Sequence, residues 1–219
     1  MSRRVPALHH YHHHRHHHHR ATRNRQKCAT EARLNSGADY IIRADADWQL
    51  VVKDKDFKKK LRKEPTAYDV QMSGGLDYWL SLLIHHTIHL EYKGVTHEYS
   101  TWKDKVKRLR TRGLTYKHYT DGSNRSDKFQ RDIRLLLADW KRDSTNPRTA
   151  FYLGQSFKDT ANWTYAIKWY DVRANMEGTW EEERFYAYYK KAMSMHKAKK
   201  PWSEVLAAYM HAYQFRPSR

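Results

Sequence analysis

Phe151 and Tyr152 recur as Phe185 and Tyr186, a shift of 34 residues (185 minus 151). A period of that length marks a repeat in which one helical hairpin stacks on the next, because a single hairpin cannot bury its own apolar face. The first copy carries Leu153, Gly154, Phe157, Ala166 and Tyr170, a spacing that puts small residues where two paired helices meet. Gly154 and Ala166 let the helices approach closely, and the rings fill the space beside them. In the second copy Ala187, Tyr188 and Lys191 take the Leu, Gly and aromatic positions, and its later part is stretched. Solenoid repeats usually need about three units to stand alone, so these two should lean on the domain that precedes them.

Helical patterning runs from Ser126 to the end of the sequence. Phe129, Ile133, Leu136, Leu137 and Trp140 form the stripe of a helix with one buried face. Asn146 and Pro147 make a cap and first turn for the next helix. Thr179 and Glu182 have the spacing of a capping box for a third, and Pro201 can open a fourth. Residues 121 to 219 therefore read as an α-helical region.

Ahead of it the pattern is that of a sheet. Residues 1 to 20 are a low-complexity segment with nine histidines between positions 9 and 20, which cannot supply a core and reads as disordered. Its imidazoles can bind zinc, nickel or copper, but they lack the fixed spacing of an evolved site. From Ala21, "ATRNRQKCATEARLNSG" has helical character, with Gly37 as its stop, and "ADYIIRADAD" follows as a strand ending in acids. A helix, a tight loop and such a strand are the local order of an α/β unit, in which ligands sit beyond the carboxyl ends of strands. "KDKDFKKKLRKEP" reads as a short basic helix ended by Pro65. "TAYDVQMSGG", "LDYWLSLLIHH" and "HLEYKGVTHEYS" read as strands, and the stretch from Thr101 to Ser126 as a linker or mobile loop.

The 42 Lys and Arg against 24 Asp and Glu leave +18, a field that attracts phosphate. The basic runs "KKKLRK" and "KVKRLRTR" carry few aromatics and match no nucleic-acid signature, so no specific nucleic acid is expected. A single cysteine, Cys28, excludes an internal disulfide and a cysteine-based zinc site and suits a reducing compartment. The longest apolar run is too short to span a bilayer, and a cytoplasmic location is expected.

Against that basic background two acidic features stand out. Asp45 and Asp47 can hold Mg²⁺ or Mn²⁺ between carboxylate and phosphate oxygens, although Asp after a strand also begins ordinary turns. His97 and Glu98 sit side by side, where a histidine can complete a metal shell and a carboxylate can take a proton, although such a pair is also a common surface feature.

"TRNRQKCATEARLNSGADYIIRADADW", then "LLIHHTIHLEYKGVTHEY", then "NPRTAFYLGQSFKDTANWTYAIKWYDVRANMEGTWEEERFYAYYKKA" together resemble the family 2 glycosyltransferases of GT-A fold that carry a C-terminal tetratricopeptide-like region. The likeness implies that Asp45 and Asp47 match the family's D-x-D, which holds Mn²⁺ or Mg²⁺ against the diphosphate of a nucleotide-sugar donor. Asn24 and Arg25 match the "NR" that faces the donor. His97 and Glu98 match the "HE" segment, with His97 near the metal and Glu98 as the catalytic group near the acceptor. Family members begin with a strand, a helix and a second strand that hold the base and ribose. None of these is found before Ala21, so the resemblance implies a chain cut at its N-terminus, and at its C-terminus in "YQFRPSR", that transfers sugar poorly as it stands.

The expected fold class is α/β: a partial GT-A, Rossmann-like sheet domain over residues 21 to 120, then an α-helical tetratricopeptide-like region. The expected function is transfer of a sugar to a glycan, lipid or protein hydroxyl. The alternative is a non-catalytic tetratricopeptide-type module whose basic surface and helical repeats engage acidic protein partners or nucleic acid.

Overall fold

The computed structural model describes residues 18–45, 48–73, 77–103, 105–118, 126–178 and 180–218. The chain is mixed α/β and divides into a sheet unit (1–93 and 98–123) and a helical unit (94–97 and 124–219). No helix among the described residues is long and apolar enough to cross a membrane.

The sheet unit opens with α1 (His18–Asn35), which takes in the last three residues of the His-rich segment and stops before Gly37, whose φ of 63° suits glycine. Strand β1 (Tyr40–Ile42) follows, then β2 (Trp48–Val52), β3 (Thr66–Ser73) and β4 (Tyr78–His85). The basic segment before β3 forms only a 3-10 turn at Phe57–Lys60. "HLEYKGVTHEYS" is not one strand but a hairpin of β5 (Leu90–Lys93) and β6 (Tyr99–Trp102).

The largest difference from expectation is β7 (Lys107–His118), a twelve-residue strand where a linker was expected. It lies between β3 and β2 in a five-stranded sheet of order β1-β4-β3-β7-β2, in which only β3 and β7 are parallel. The described strands contain no β-α-β crossover. A period of two was present in β7, since exposed Arg108, Arg110 and Arg112 alternate with partly buried Leu109 and Thr111. It escapes an apolar reading because threonine and glycine take inward positions. Between Val70↔Thr111 and Gln71↔Thr115 the register slips, leaving residues 112–114 as a bulge. A Cβ on Gly113 would stand 2.6 Å from Cβ of Phe57, so only glycine fits there.

Strands β1 and β2 are the two edges of this sheet, yet five residues join them. Four strand spacings separate the edges, and Gln49, level with Ser73, lies five residues further along than Ile42, level with Tyr68. In a flat sheet that is about 25 Å. The link contains a turn in which the Trp48 amide donates to the Asp45 carbonyl at 3.1 Å, so it spans at most about 22 Å. The sheet is therefore curled. Tyr40, Val70, Met72, Leu82, Leu114 and Tyr116 pack together in its larger core, and Ala67, Ile84, Ile88 and Leu90 form a second cluster.

The helical unit holds α2 (Ser126–Arg142), α3 (Pro147–Asp159), α4 (Trp163–Ala174), α5 (Glu181–Lys197) and α6 (Trp202–Phe215). Each packs on the next, and α3 also meets α5. The Asn146 side chain accepts from the amides of Arg148 and Thr149, which caps α3. The Thr179 half of the expected capping box lies outside the described residues. Helices α3 and α5 begin 34 residues apart (181 minus 147), and the stretch in the second copy is α5 itself, 17 residues long against 13. Leu153, Phe157, Ala166 and Tyr170 are all core residues.

Lys191, at the aromatic position of the second copy, instead pairs with Asp171 at 2.6 Å. The fully buried Arg173 joins α4 to α5, donating from Nε to Glu183 at 2.7 Å and from Nη2 to the Trp180 carbonyl at 3.1 Å. On α6 Val205 and Ala212 face inward while Trp202, Leu206, Met210 and Tyr213 stay exposed.

Gly154 is the tightest point of the α3–α4 contact, because a Cβ there would lie 2.7 Å from the Tyr170 ring. Gly154→Leu should destabilise the protein by about 1–3 kcal/mol or more. A denaturant midpoint unchanged in that variant, followed by helical circular dichroism, would show that α3 and α4 do not meet there.

Candidate functional site

Helix α1 is held by its glutamine. Gln26 donates through Nε2 to the Leu90 carbonyl at 2.7 Å and accepts through Oε1 from the Tyr92 amide at 2.9 Å. One amide side chain thus pairs with the backbone of β5 as a neighbouring strand would. This fixes the helix in rotation and height, and so fixes the residue before it, Arg25.

Arg25 reaches two acids that are far from it in sequence. Its Nη2 lies 3.3 Å from Oδ1 of Asp45, and its Nε lies 3.9 Å from Oε2 of Glu98. Asp45 stands in the turn that follows β1, and Glu98 immediately precedes β6. The Asp45 side chain is 41% exposed, whereas that of Glu98 is only 9% exposed. At such exposure the Arg25–Asp45 pair contributes under about 1 kcal/mol. Its effect is to orient the carboxylate rather than to hold the fold.

Three of the six residues singled out in the sequence therefore converge: Arg25, Asp45 and Glu98. The backbone of Asn24 belongs to α1, but its side chain lies outside the described residues, as does the whole of Asp47. Among the described residues no three His, Cys, Asp or Glu side chains form a group able to hold a metal.

His97 is placed differently, in the helical unit. Its φ is 50°, an unusual conformation for a residue with a side chain. Its ring stacks on Tyr152, with centroids 4.1 Å apart and planes 12° apart, and its carbonyl accepts from Nη2 of Arg148 at 2.7 Å. Arg148 also lies over the Tyr152 ring at 4.7 Å. The ring is thus engaged in packing, and adjacent residues of the "HE" pair belong to different units.

Sequence reasoning missed Gln26 and the Tyr152–Arg148 partners of His97. Gln26 was detectable only as the neighbour of the "NR" pair, since its bonds are to backbone 64 and 66 residues away. Compared with known proteins, the chain matches no family model and no curated sequence.

Burial lowers the pKa of His97 below its ordinary 6.5, and Lys128 and Arg148 act in the same direction while Asp132 opposes them. The unfolded imidazole then binds protons that the folded one refuses, so stability is complete above about pH 6.5 and falls as the pH drops toward the folded pKa. Melting temperatures between about pH 7.5 and about pH 5 should fall more steeply in the wild type than in His97→Asn. His85, whose pKa burial also lowers, is present in both proteins and cancels from the comparison. Equal slopes would mean that His97 titrates as it does in the unfolded chain.

Proposed function

We propose that this chain is a metal-dependent glycosyltransferase, or a fragment of one, that moves a sugar from a nucleotide-sugar to an acceptor hydroxyl. The observation that carries the reading is the convergence of Arg25, Asp45 and Glu98 from positions up to 73 residues apart (98 minus 25). The sheet unit is read as part of a GT-A domain, supported by α1 leading into β1 with acids directly after the strand. The helical unit is read as tetratricopeptide-like, supported by the 34-residue helix spacing and the Gly154–Tyr170 contact.

The donor set suits a hard divalent cation. Asp45 offers an open carboxylate whose described partner is Arg25 alone, and Asp47 is two residues away. Asp45 and Asp47 would hold Mn²⁺ or Mg²⁺, which when bound supplies charge that stabilises the departing diphosphate. Arg25 would turn its guanidinium from the carboxylates to diphosphate oxygens, for which its fork geometry is suited. Glu98 would accept the acceptor's hydroxyl proton as that oxygen bonds to the anomeric carbon and the bond from that carbon to the diphosphate breaks. His97, packed on Tyr152, is left out of this scheme.

Calorimetric titration of a chain beginning at Ala21, so that the histidine tract does not compete, should show weak Mn²⁺ binding that a nucleoside diphosphate tightens. Asp45→Ala with Asp47→Ala should abolish it. Unchanged Mn²⁺ affinity in that double variant would remove the basis of the proposal.

A further inference from the structure

A second feature of the sheet unit borders the transfer scheme at Arg25 but otherwise lies outside it. A cleft of about 460 Å³ runs along α1, between the helix and the residues of β1, β4 and β5. Its size falls within the range of roughly 300–1,000 Å³ usual for small-molecule sites. Much of its wall is apolar, from Ala29 and Ala32 on the helix and Ile41, Ile84, Ile88 and Leu90 opposite.

Set into this wall are two guanidinium groups without counter-charges. Arg33 makes its described contact with a histidine rather than a carboxylate, Nη2 lying 3.3 Å from Nε2 of His89. Arg43 donates from Nη1 to the Tyr92 hydroxyl at 3.1 Å and from Nη2 to the Ser81 carbonyl at 2.7 Å, and it lies over the Tyr92 ring. Its Nε is buried with no hydrogen-bond partner among the described residues. Neither arginine forms an ion pair with a described carboxylate. Among the described residues Glu31 is the only acid lining the cleft, and it lies 3.7 Å from Lys27. Arg25 also lines the cleft but is already matched by Asp45 and Glu98.

Arg43, whose buried Nε lacks a partner among the described residues, is an incompletely satisfied charge beside an apolar wall. Arg33, whose contact with His89 is open to water, adds a second cation, and an anion is the occupant that meets both. The wall in turn rewards a ligand with an apolar body. We propose that the cleft binds an organic oxyanion, a phosphate or carboxylate head on a compact apolar body, with Arg33 and Arg43 at its head. This does not rest on sugar transfer and needs no divalent metal.

The test is calorimetry on the full chain in EDTA, with phenyl phosphate and benzoate as probes and with inorganic phosphate and phenol as controls. One probe molecule should bind per chain, tighter than either control. Arg33→Met and Arg43→Met should each weaken it roughly tenfold or more. Arg112→Met, which removes an exposed cation on β7, should leave it unchanged. Since Arg43 also bonds to Ser81 and Tyr92, the Arg33 variant alone decides if Arg43→Met fails to fold. Equal loss in Arg112→Met, or inorganic phosphate binding as tightly as phenyl phosphate, would reduce the effect to general attraction by a basic chain and overturn the proposal. Phenol binding as tightly as phenyl phosphate would also overturn it. Because EDTA is present throughout, these outcomes are independent of whether Asp45 and Asp47 bind metal.

Discussion

Five residues join the two outermost strands of a five-stranded sheet, and the sheet unit is organised around that short connection. It is too short to cross a flat sheet, so the strands coil until the edges approach. Coiling wraps one face around Tyr68, Val70, Met72 and Tyr116, which become nearly inaccessible to water. The same connection carries Asp45 at its turn. The curl of the sheet and the position of the acid thus share one connection, and the Gln26 amide holds the helix from which Arg25 meets it.

The helical unit is governed by close packing. Gly154 lets the Tyr170 ring lie against the α3 backbone, so the helices meet at a distance that no side chain at position 154 would allow. One hairpin later Tyr188 stands at the glycine position, and its ring packs against His211 and Phe215 of α6. The Arg173–Glu183 pair spans the two copies, with Arg173 fully buried and Glu183 nearly so. Removing one partner of such a pair costs about 3–5 kcal/mol, because the other is left as a bare buried charge.

How much of this could be read from the sequence depended on the kind of interaction. The helices were legible because their buried stripes are made of large apolar residues at helical spacing, and Asn146 and Pro147 announce a start. Strand β7 was not, because its alternation is arginine against leucine and threonine, which resembles a solvated basic loop. Its place beside β3 is set by a bulge and by a glycine pressed against Phe57. In the site, the acids and Arg25 could be picked out as residue types in a pattern, but their convergence depends on contacts 64 and 66 residues apart, the bonds of Gln26 to β5. The engagement of His97 with Tyr152 was invisible, since a positive φ at position 97 turns its side chain away from its neighbour's course.

The central claim is that the β1–β2 connection, Arg25 and Glu98 together make a site for a divalent cation and a diphosphate. Nuclear magnetic resonance of ¹⁵N-labelled protein titrated with Mn²⁺ tests it directly, because the ion broadens signals close to where it binds. The account predicts that a nucleoside diphosphate concentrates the broadening on the amides of residues 44 to 48 and on Nε of Arg25. Broadening confined to the histidines between positions 9 and 19, or centred on any other part of the sheet unit, would contradict it.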